Sequence, residues 1–184
     1  SLQFQGFDTN DTLNINGGSA DNTITGTGEI DTIDAGAGAD TLTGGGGNDT
    51  FVHASGDGEA AVSFDNGTDG STSLNDGDTF TFSSGVDVIT DFEDGSDELQ
   101  FDTTAADFTS ATLSDGTDGS LTTEQFGTTR GSFDDTNDTF EVNSSGADTL
   151  LLVDENGGTN PSDVDIVGIV LQGFTDSVTS DDFA

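Results

Sequence analysis

Carboxylates and glycines recur together at fixed intervals in the first third of this sequence. Residues 17–52 divide without a gap into four nonapeptides, GGSADNTIT, GTGEIDTID, AGAGADTLT and GGGGNDTFV. Glycine permits the positive-φ backbone of tight turns, in which carbonyl oxygens converge, and the Asp or Asn at the sixth place of each unit adds a side-chain oxygen. Calcium prefers ligand sets made of such oxygens. The repeat therefore predicts calcium binding.

The stacking of short strands decides which of these ligands meet. In each unit the residues after the sixth place form a very short strand with one inward apolar side chain, and two units complete one coil of a β-roll. Equivalent turns therefore recur every second unit, which pairs Asn22 with Asp40 on one edge and Asp31 with Asp49 on the other. We expect each pair to share one calcium ion. The inward side chains form two facing columns and are Ile24, Ile33, Leu42 and Phe51.

The two predicted sites differ in charge. Asn22 supplies a neutral amide where the other three positions supply a carboxylate, so the site with Asp40 should be the weaker one. Main-chain carbonyls of the glycine turns are expected to complete each shell of about six oxygens. The predicted main-chain ligands belong to Gly26, Gly28, Gly36, Gly38, Gly45 and Gly47.

The rest of the chain predicts further β-structure around these turns. Short runs of Thr, Val, Ile and Phe alternate with turns of Asp, Asn and Gly, and only one proline is present. The continuous apolar runs 150–153 and 167–171 predict buried strands of a compact β-sandwich that caps the roll. The repeated sequence GTDGS, at 67–71 and 116–120, predicts two similar turns, and 154–163 predicts a hairpin loop. A metal motif at these places stays an alternative.

Three segments resemble a known family, in that family's order. The last nonapeptide fits the pattern G-G-x-G-x-D-x-U-x throughout, where U is a large apolar residue. Residues 86–101 resemble the D-x-I-x-D-F-x-x-G-x-D-x-L segment that follows the repeats in serralysin-type C-terminal domains. Residues 148–183 resemble the hairpin and acidic-apolar tail of such chains. The sequence is thus similar to the repeats-in-toxin (RTX) family of hemolysin-type calcium-binding, type I secreted bacterial proteins.

The resemblance implies a fold and a division of the chain. The fold is all-β, with a short parallel β-roll of calcium-binding nonapeptides followed by an antiparallel β-sandwich cap. Residues 1–16 would form an N-terminal flank, 17–52 the roll and 53–184 the cap, with a type I secretion signal in the tail SDDFA at 180–184. The resemblance also implies calcium as the cofactor, in two or more ions, and a type I transporter as a partner. Further metal-ligating residues would be Asp87, Asp91 and Asp97.

Some positions depart from the family pattern. Thr27 and Glu29 occupy places where the family has glycine, and Ala20 does so in the first unit. Upstream, residues 6–14 (GFDTNDTLN) resemble a degenerate unit with Asp11 at the ligand place and Leu13 at the core place. The residues Ile15 and Asn16 would then be an insertion that breaks the register, and whether this unit belongs to the roll stays open.

Composition agrees with a cation-binding protein. One Lys or Arg stands against 37 Asp and Glu, for a formal net charge of −36. This charge excludes electrostatic binding to nucleic acid or to an anionic membrane surface, and with 29% hydrophobic residues it should keep the calcium-free chain expanded. No cysteine is present, so metal rather than disulfides would stabilise an extracellular fold. No apolar run is long enough to cross a membrane, and membrane insertion is not expected.

These features favour a binding and folding module over an enzyme. The motifs H-E-x-x-H and G-x-S-x-G are absent, and the single histidine, His53, is expected to be a strand residue, so no catalytic residue is predicted. The module would fold on meeting extracellular calcium and support secretion of a larger bacterial protein. The alternatives are the C-terminal part of a secreted protease or lipase, a surface-layer or adhesin anchor, and a halophile's acidic solvation surface.

Overall fold

The computed structural model describes residues 12–53, 62–65, 73–101, 109–113, 121, 125–154 and 166–184. These residues form strands and turns, with a single short 3-10 helix at Ser180–Asp182 and no α-helix. The predicted all-β fold, with a parallel roll followed by antiparallel strands, is confirmed. In chain order the strands are β1 Leu13–Asn16, β2 Thr23–Thr25, β3 Asp31–Asp34, β4 Thr41–Thr43, β5 Thr50–His53, β6 Val62–Asp65, β7 Thr79–Phe82, β8 Asp87–Ile89, β9 Glu98–Phe101, β10 Thr109–Ser110, β11 Gln125–Asp134, β12 Thr139–Val142, β13 Asp148–Asp154 and β14 Ile166–Leu171.

Two parallel ladders form the roll. The first sheet has the order β1-β3-β5-β9, and the larger second sheet begins with the order β2-β4-β8-β14. The chain therefore alternates between the two sheets. Ile33 pairs with Phe51 in the first sheet and Ile24 pairs with Leu42 in the second, which confirms the stacking of every second nonapeptide.

The apolar side chains of the two sheets close over each other in two columns. Every member is buried except Ile15 and Phe183, which are partly buried at the two ends of the first column. Phe183 forms a parallel bridge with Leu99, and the N–H of Ala184 donates to the carbonyl of Leu99 at 3.0 Å. The first column is Ile15, Ile33, Phe51, Leu99 and Phe183, and the second is Ile24, Leu42, Ile89 and Leu171.

The parallel ladders continue beyond residue 52. The chain leaves the roll after β5 and rejoins it at β8, where Leu42 pairs with Ile89. It leaves again after β9 and rejoins at β14, where Ile89 pairs with Leu171. Residues 86–101, which resemble the segment that follows the repeats in related proteins, thus form the next coil of the same roll.

Antiparallel strands extend the second sheet away from the roll, in the order β14-β13-β11-β12-β7-β6, with β10 beside β11. Strands β13 and β14 are buried on both faces, because Leu151 and Ile169 pack into the core of the roll while Leu150 and Val170 pack into a second core with Phe80 and other residues. The prediction of buried strands at 150–153 and 167–171 is confirmed.

The N-terminal strand corrects the predicted register of the degenerate unit. Ile15 pairs with Ile33 and lies in the core column, whereas Leu13, predicted at the core place, pairs with Asp31. The strand therefore belongs to the roll, and Ile15 and Asn16 are not an insertion. The register with Ile15 in the core prevails over the predicted register with Leu13, because it packs the branched side chain of Ile15 directly on Ile33. The predicted ligand Asp11, both GTDGS turns and the loop at 155–163 lie outside the described residues.

Candidate calcium-binding turns

The turns between the two sheets form two edges of the roll. We call the aspartate edge the turns that end at Asp31, Asp49 and Asp97, and the asparagine edge those that end at Asn22, Asp40 and Asp87. The registers of the strands place these residues at equivalent positions of successive coils. The structure therefore brings together both ligand pairs that the spacing predicted, and it adds a further acidic residue to each edge.

On the aspartate edge the carboxylates of Asp49 and Asp97 each reach the preceding coil. Oδ1 of Asp49 accepts the main-chain N–H of Asp31 at 2.9 Å, and Oδ1 of Asp97 accepts that of Asp49 at 2.9 Å. All three residues are buried. This contact fixes one oxygen of Asp49 and one of Asp97. The other oxygen lies in its own turn, against Gly44 for Asp49 and on the N–H of Glu93 at 3.0 Å for Asp97.

The asparagine edge repeats this contact with a different first member. Oδ1 of Asp40 accepts the N–H of Asn22 at 2.6 Å, and Oδ1 of Asp87 accepts the N–H of Asp40 at 2.9 Å. Oδ1 of Asn22 is buried without a hydrogen-bond partner among the described residues. An oxygen in this state fits a cation, because burial removes its water and supplies no donor in return.

The side-chain oxygens of Asp49 and Asn22 lie close to the first residue of their own turns. A Cβ atom added at Gly44 would clash with Oδ2 of Asp49, and one added at Gly17 would clash with Oδ1 of Asn22. The absence of a side chain at these glycines is thus what allows the ligand oxygen to enter the turn.

Glycines also allow successive coils to approach closely. Gly36, Gly38, Gly45 and Gly47 adopt positive φ, which a residue with a side chain rarely takes. A Cβ at Gly36 would clash with the carbonyl oxygen of Gly18, and one at Gly45 would clash with that of Thr27. Carbonyl oxygens of one turn therefore face the glycines of the next coil, as a shared ion between coils requires.

The second nonapeptide has a different turn. Thr27 and Glu29 stand at the places where the fourth unit has the positive-φ Gly45 and Gly47, and neither adopts positive φ. Asp31 is held by its own turn, because its Oδ2 accepts the N–H of Thr27 at 2.5 Å and the Thr27 hydroxyl at 3.0 Å. Sequence analysis noted Thr27 only as a departure from glycine, and its hydroxyl and position four residues before Asp31 were the signal for this contact.

Electrostatic repulsion is concentrated at Asp49. This residue is 2% exposed. Burial is the largest cause that raises the pKa of Asp49 to about 6; the N–H of Asp31 lowers this pKa, and the carboxylates of Asp97, Asp31 and Asp91 raise it by smaller amounts. The pKa of Asp97 is also raised, first by burial and then by Asp91 and Glu93. The aspartate edge thus holds more negative charge than its N–H donors neutralise.

The acidic residues of the next coil take two different roles. Asp91 lies under the turn 43–49, where Oδ1 accepts the N–H of Gly44 and Oδ2 that of Gly45, both at 2.9 Å. Asp87 instead lies beside His53, whose Nδ1 is 3.3 Å from Asp87 Oδ2. His53 lies in β5, as predicted for a strand residue, but its contact with Asp87 was not predicted.

Clustered side chains alone do not make a metal site here. Within the part of the chain that the structure describes, no group of three or more acidic or histidine side chains is placed to hold a metal ion. The acidic residues are instead spaced one coil apart. A calcium ion at these turns would therefore need main-chain carbonyls for most of its shell, which the positive-φ glycines supply.

Comparisons with known proteins identify the repeats. The RTX calcium-binding nonapeptide repeat family matches residues 15–57, in four copies. Residues 15–57 therefore carry calcium-binding repeats of the RTX type, as predicted.

Among solved structures, the chain is similar to the AlgE6R3 subunit of the Azotobacter vinelandii mannuronan C5-epimerase. The identity is 22% and the TM-score is 0.42, over 95% of this chain and 78% of that one. No curated protein matches the chain. Among the described residues, no helix is both long enough and apolar enough to cross a membrane.

Proposed function

We propose that this chain is a calcium-responsive folding module of a larger, type I secreted bacterial protein, with no catalytic activity of its own. The crowding of carboxylates around Asp49 carries the calcium part of this proposal. Asp31, Asp91 and Asp97 all raise the pKa of this buried group. A divalent cation removes that repulsion, because it makes the ionised form of each neighbouring carboxylate favourable.

We assign two or more calcium ions to the turns. One ion would lie between Asp31 and Asp49 on the aspartate edge, and a second between Asn22 and Asp40 on the asparagine edge. Carbonyl oxygens of the turns that contain Gly36 and Gly45 would complete the shells. The carboxylates of Asp91 and Asp97 extend the aspartate edge by one more coil, which makes this edge the stronger binder.

Calcium availability would then control folding. Ligand that binds only the folded state stabilises it by RT ln(1 + [L]/Kd), so a thousandfold rise in calcium contributes about 4 kcal/mol per site. Calcium is scarce in the cytosol and abundant outside the cell. The chain, with a net charge of −36, would stay expanded inside and fold at an extracellular location.

The tail 180–184 would be read by the transporter before folding. In the folded chain Asp182 is fully buried, and its Oδ2 accepts the N–H of Thr179 at 2.7 Å. Phe183 pairs with Leu99. A transporter could therefore bind this tail in the expanded chain and not in the folded one.

A calcium titration tests the binding part. Far-UV circular dichroism should show a cooperative gain of β-structure as calcium rises to the millimolar range, and native mass spectrometry should count two or more bound ions. Magnesium at the same concentration should be much less effective, because it demands a smaller and more rigid octahedral shell. Folding in molar sodium chloride without calcium would instead support an acidic, halophilic surface module.

A truncation tests the secretion part. Removal of residues 148–184 from a passenger fusion, in a host with the cognate transporter, should leave the fusion inside the cell. The control is the full chain with Asp49→Ala, which should still be exported but should fold less well outside. Export of the truncated fusion at the wild-type level would refute the secretion part and leave calcium binding untouched.

A further inference from the structure

The histidine at the end of β5 lies where the regular coils have a small residue. His53 pairs with Phe101, and continuing the register of β3 and β5 by one residue places it over Ala35 and, one coil further, Gly17. His53 is fully buried, and its ring stacks on Phe101 with centroids 5.6 Å apart and planes at 23°. The imidazole thus occupies the place that is empty at Gly17, where the missing side chain leaves room for Oδ1 of Asn22.

Asp87 is oriented toward this imidazole. Its Oδ1 keeps the regular contact with the N–H of Asp40. Its Oδ2 is buried and, like both ring nitrogens of His53, has no hydrogen bond among the described residues that meets strict geometry. Nδ1 of His53 lies 3.3 Å from Asp87 Oδ2.

We propose that the imidazole of His53 takes the place of a calcium ion at Asp87. This inference rests on the proposed calcium sites of the regular turns. The residues at this level do not fit an ion, because the buried imidazole ring of His53 occupies the space beside Asp87 Oδ2. The asparagine edge then binds metal only between Asn22 and Asp40, and Asp87 positions the third coil without metal.

Matched Asp→Asn substitutions test this assignment by ion count. Calcium-saturated wild type, Asp49→Asn and Asp87→Asn would be compared by native mass spectrometry and by calcium titration. We expect Asp49→Asn to lose at least one ion and to need about tenfold more calcium for folding. Asp87→Asn should keep the wild-type ion count.

The outcomes separate the inference from the proposed function. Loss of an ion in Asp87→Asn would overturn the role of His53, whether or not Asp49→Asn loses one. An unchanged count in Asp49→Asn would instead contradict the proposed site at that residue. If Asp87→Asn does not fold, the wild-type chain decides the question, because its single histidine gives one assignable imidazole in ¹⁵N spectra. A slowly exchanging Nδ1–H signal supports the contact, and a rapidly exchanging one refutes it.

Discussion

The two edges of the roll stack in the same register but differ in how their charges are balanced. On the aspartate edge, carboxylates follow one another from Asp31 to Asp97, and burial, with a smaller contribution from these neighbouring charges, raises the pKa of Asp49 to about 6. On the asparagine edge, the series begins with a neutral amide at Asn22 and ends with Asp87 beside His53. If the imidazole of His53 replaces the ion at Asp87, the same turn serves as a metal site in one coil and as a metal-free spacer in another, depending on two or three side chains.

The largest expected difference is between alanine substitutions at equivalent ligand positions. Asp49→Ala should raise the calcium concentration for half-maximal folding by about tenfold or more, because it removes an anionic ligand that faces two neighbouring coils. Asn22→Ala should raise it less, since only a neutral oxygen is lost. Circular dichroism during calcium titration measures both midpoints. Equal midpoints would show that the charge difference between the edges does not matter.

Substitutions of positive-φ glycines should reduce the folding free energy by the same amount on both edges. Gly36→Ala and Gly45→Ala each place a side chain at positive φ and against a carbonyl of the preceding coil, so we expect each to lose about 2–4 kcal/mol of folding free energy. Gly28→Ala is the control, because a Cβ there meets nothing within 4 Å. Urea unfolding at saturating calcium compares the three variants. A mild effect at Gly36 alone would mean that the two edges also differ in backbone packing.

Adding a charge to the asparagine edge should reduce the difference between the edges. Asn22→Asp supplies a carboxylate at a buried oxygen position, and we expect about threefold to tenfold tighter calcium binding. Asn48→Asp adds the same charge at an exposed place on the aspartate edge and should change little. Isothermal titration calorimetry of the two variants gives the comparison. Similar gains from both would indicate general electrostatics rather than ligation at Asn22.

The smallest predicted change concerns pH in the absence of calcium. Because the folded pKa of Asp49 is raised from 3.8 to about 6, its contribution to stability is present below the unfolded value and is lost as pH rises through about 6. The calcium-free chain should therefore be more structured between these two values than at neutral pH. Circular dichroism in a chelator measures this trend. Asp49→Asn should weaken it, and an unchanged trend in that variant would assign it to other carboxylates.

Sequence patterns predicted the parts of the fold that repeat locally. The nonapeptide spacing gave the pairing of Ile33 with Phe51 and of Ile24 with Leu42, because each side chain packs on its equivalent one coil away. The apolar run 150–153 predicted a buried strand because continuous apolar residues fit a strand covered on both faces.

The remaining features depend on contacts between distant residues, which no local pattern encodes. Ile89 stacks on Leu42 across an excursion of the chain, so the spacing that identified the earlier coils is lost. The contact of His53 with Asp87 also joins residues that are distant in sequence, so no local spacing indicates it. The position of Ile15 was missed because the motif letters of the degenerate unit favoured Leu13, whereas packing on Ile33 decides the register.

The two long connections, from β5 to β8 and from β9 to β14, also set the order in which the coils fold. Contacts between regular coils close loops of 18 residues, whereas Asp40 contacts Asp87 across 47 and Asp49 contacts Asp97 across 48. On loop-closure entropy alone, the longer connections cost about 0.9 kcal/mol more each. We therefore expect folding to nucleate in the nonapeptides and to propagate coil by coil toward Leu99. In pulse-labelling hydrogen exchange, amides of β3 to β5 should be protected earlier than those of β8, β9 and the residues around Phe183.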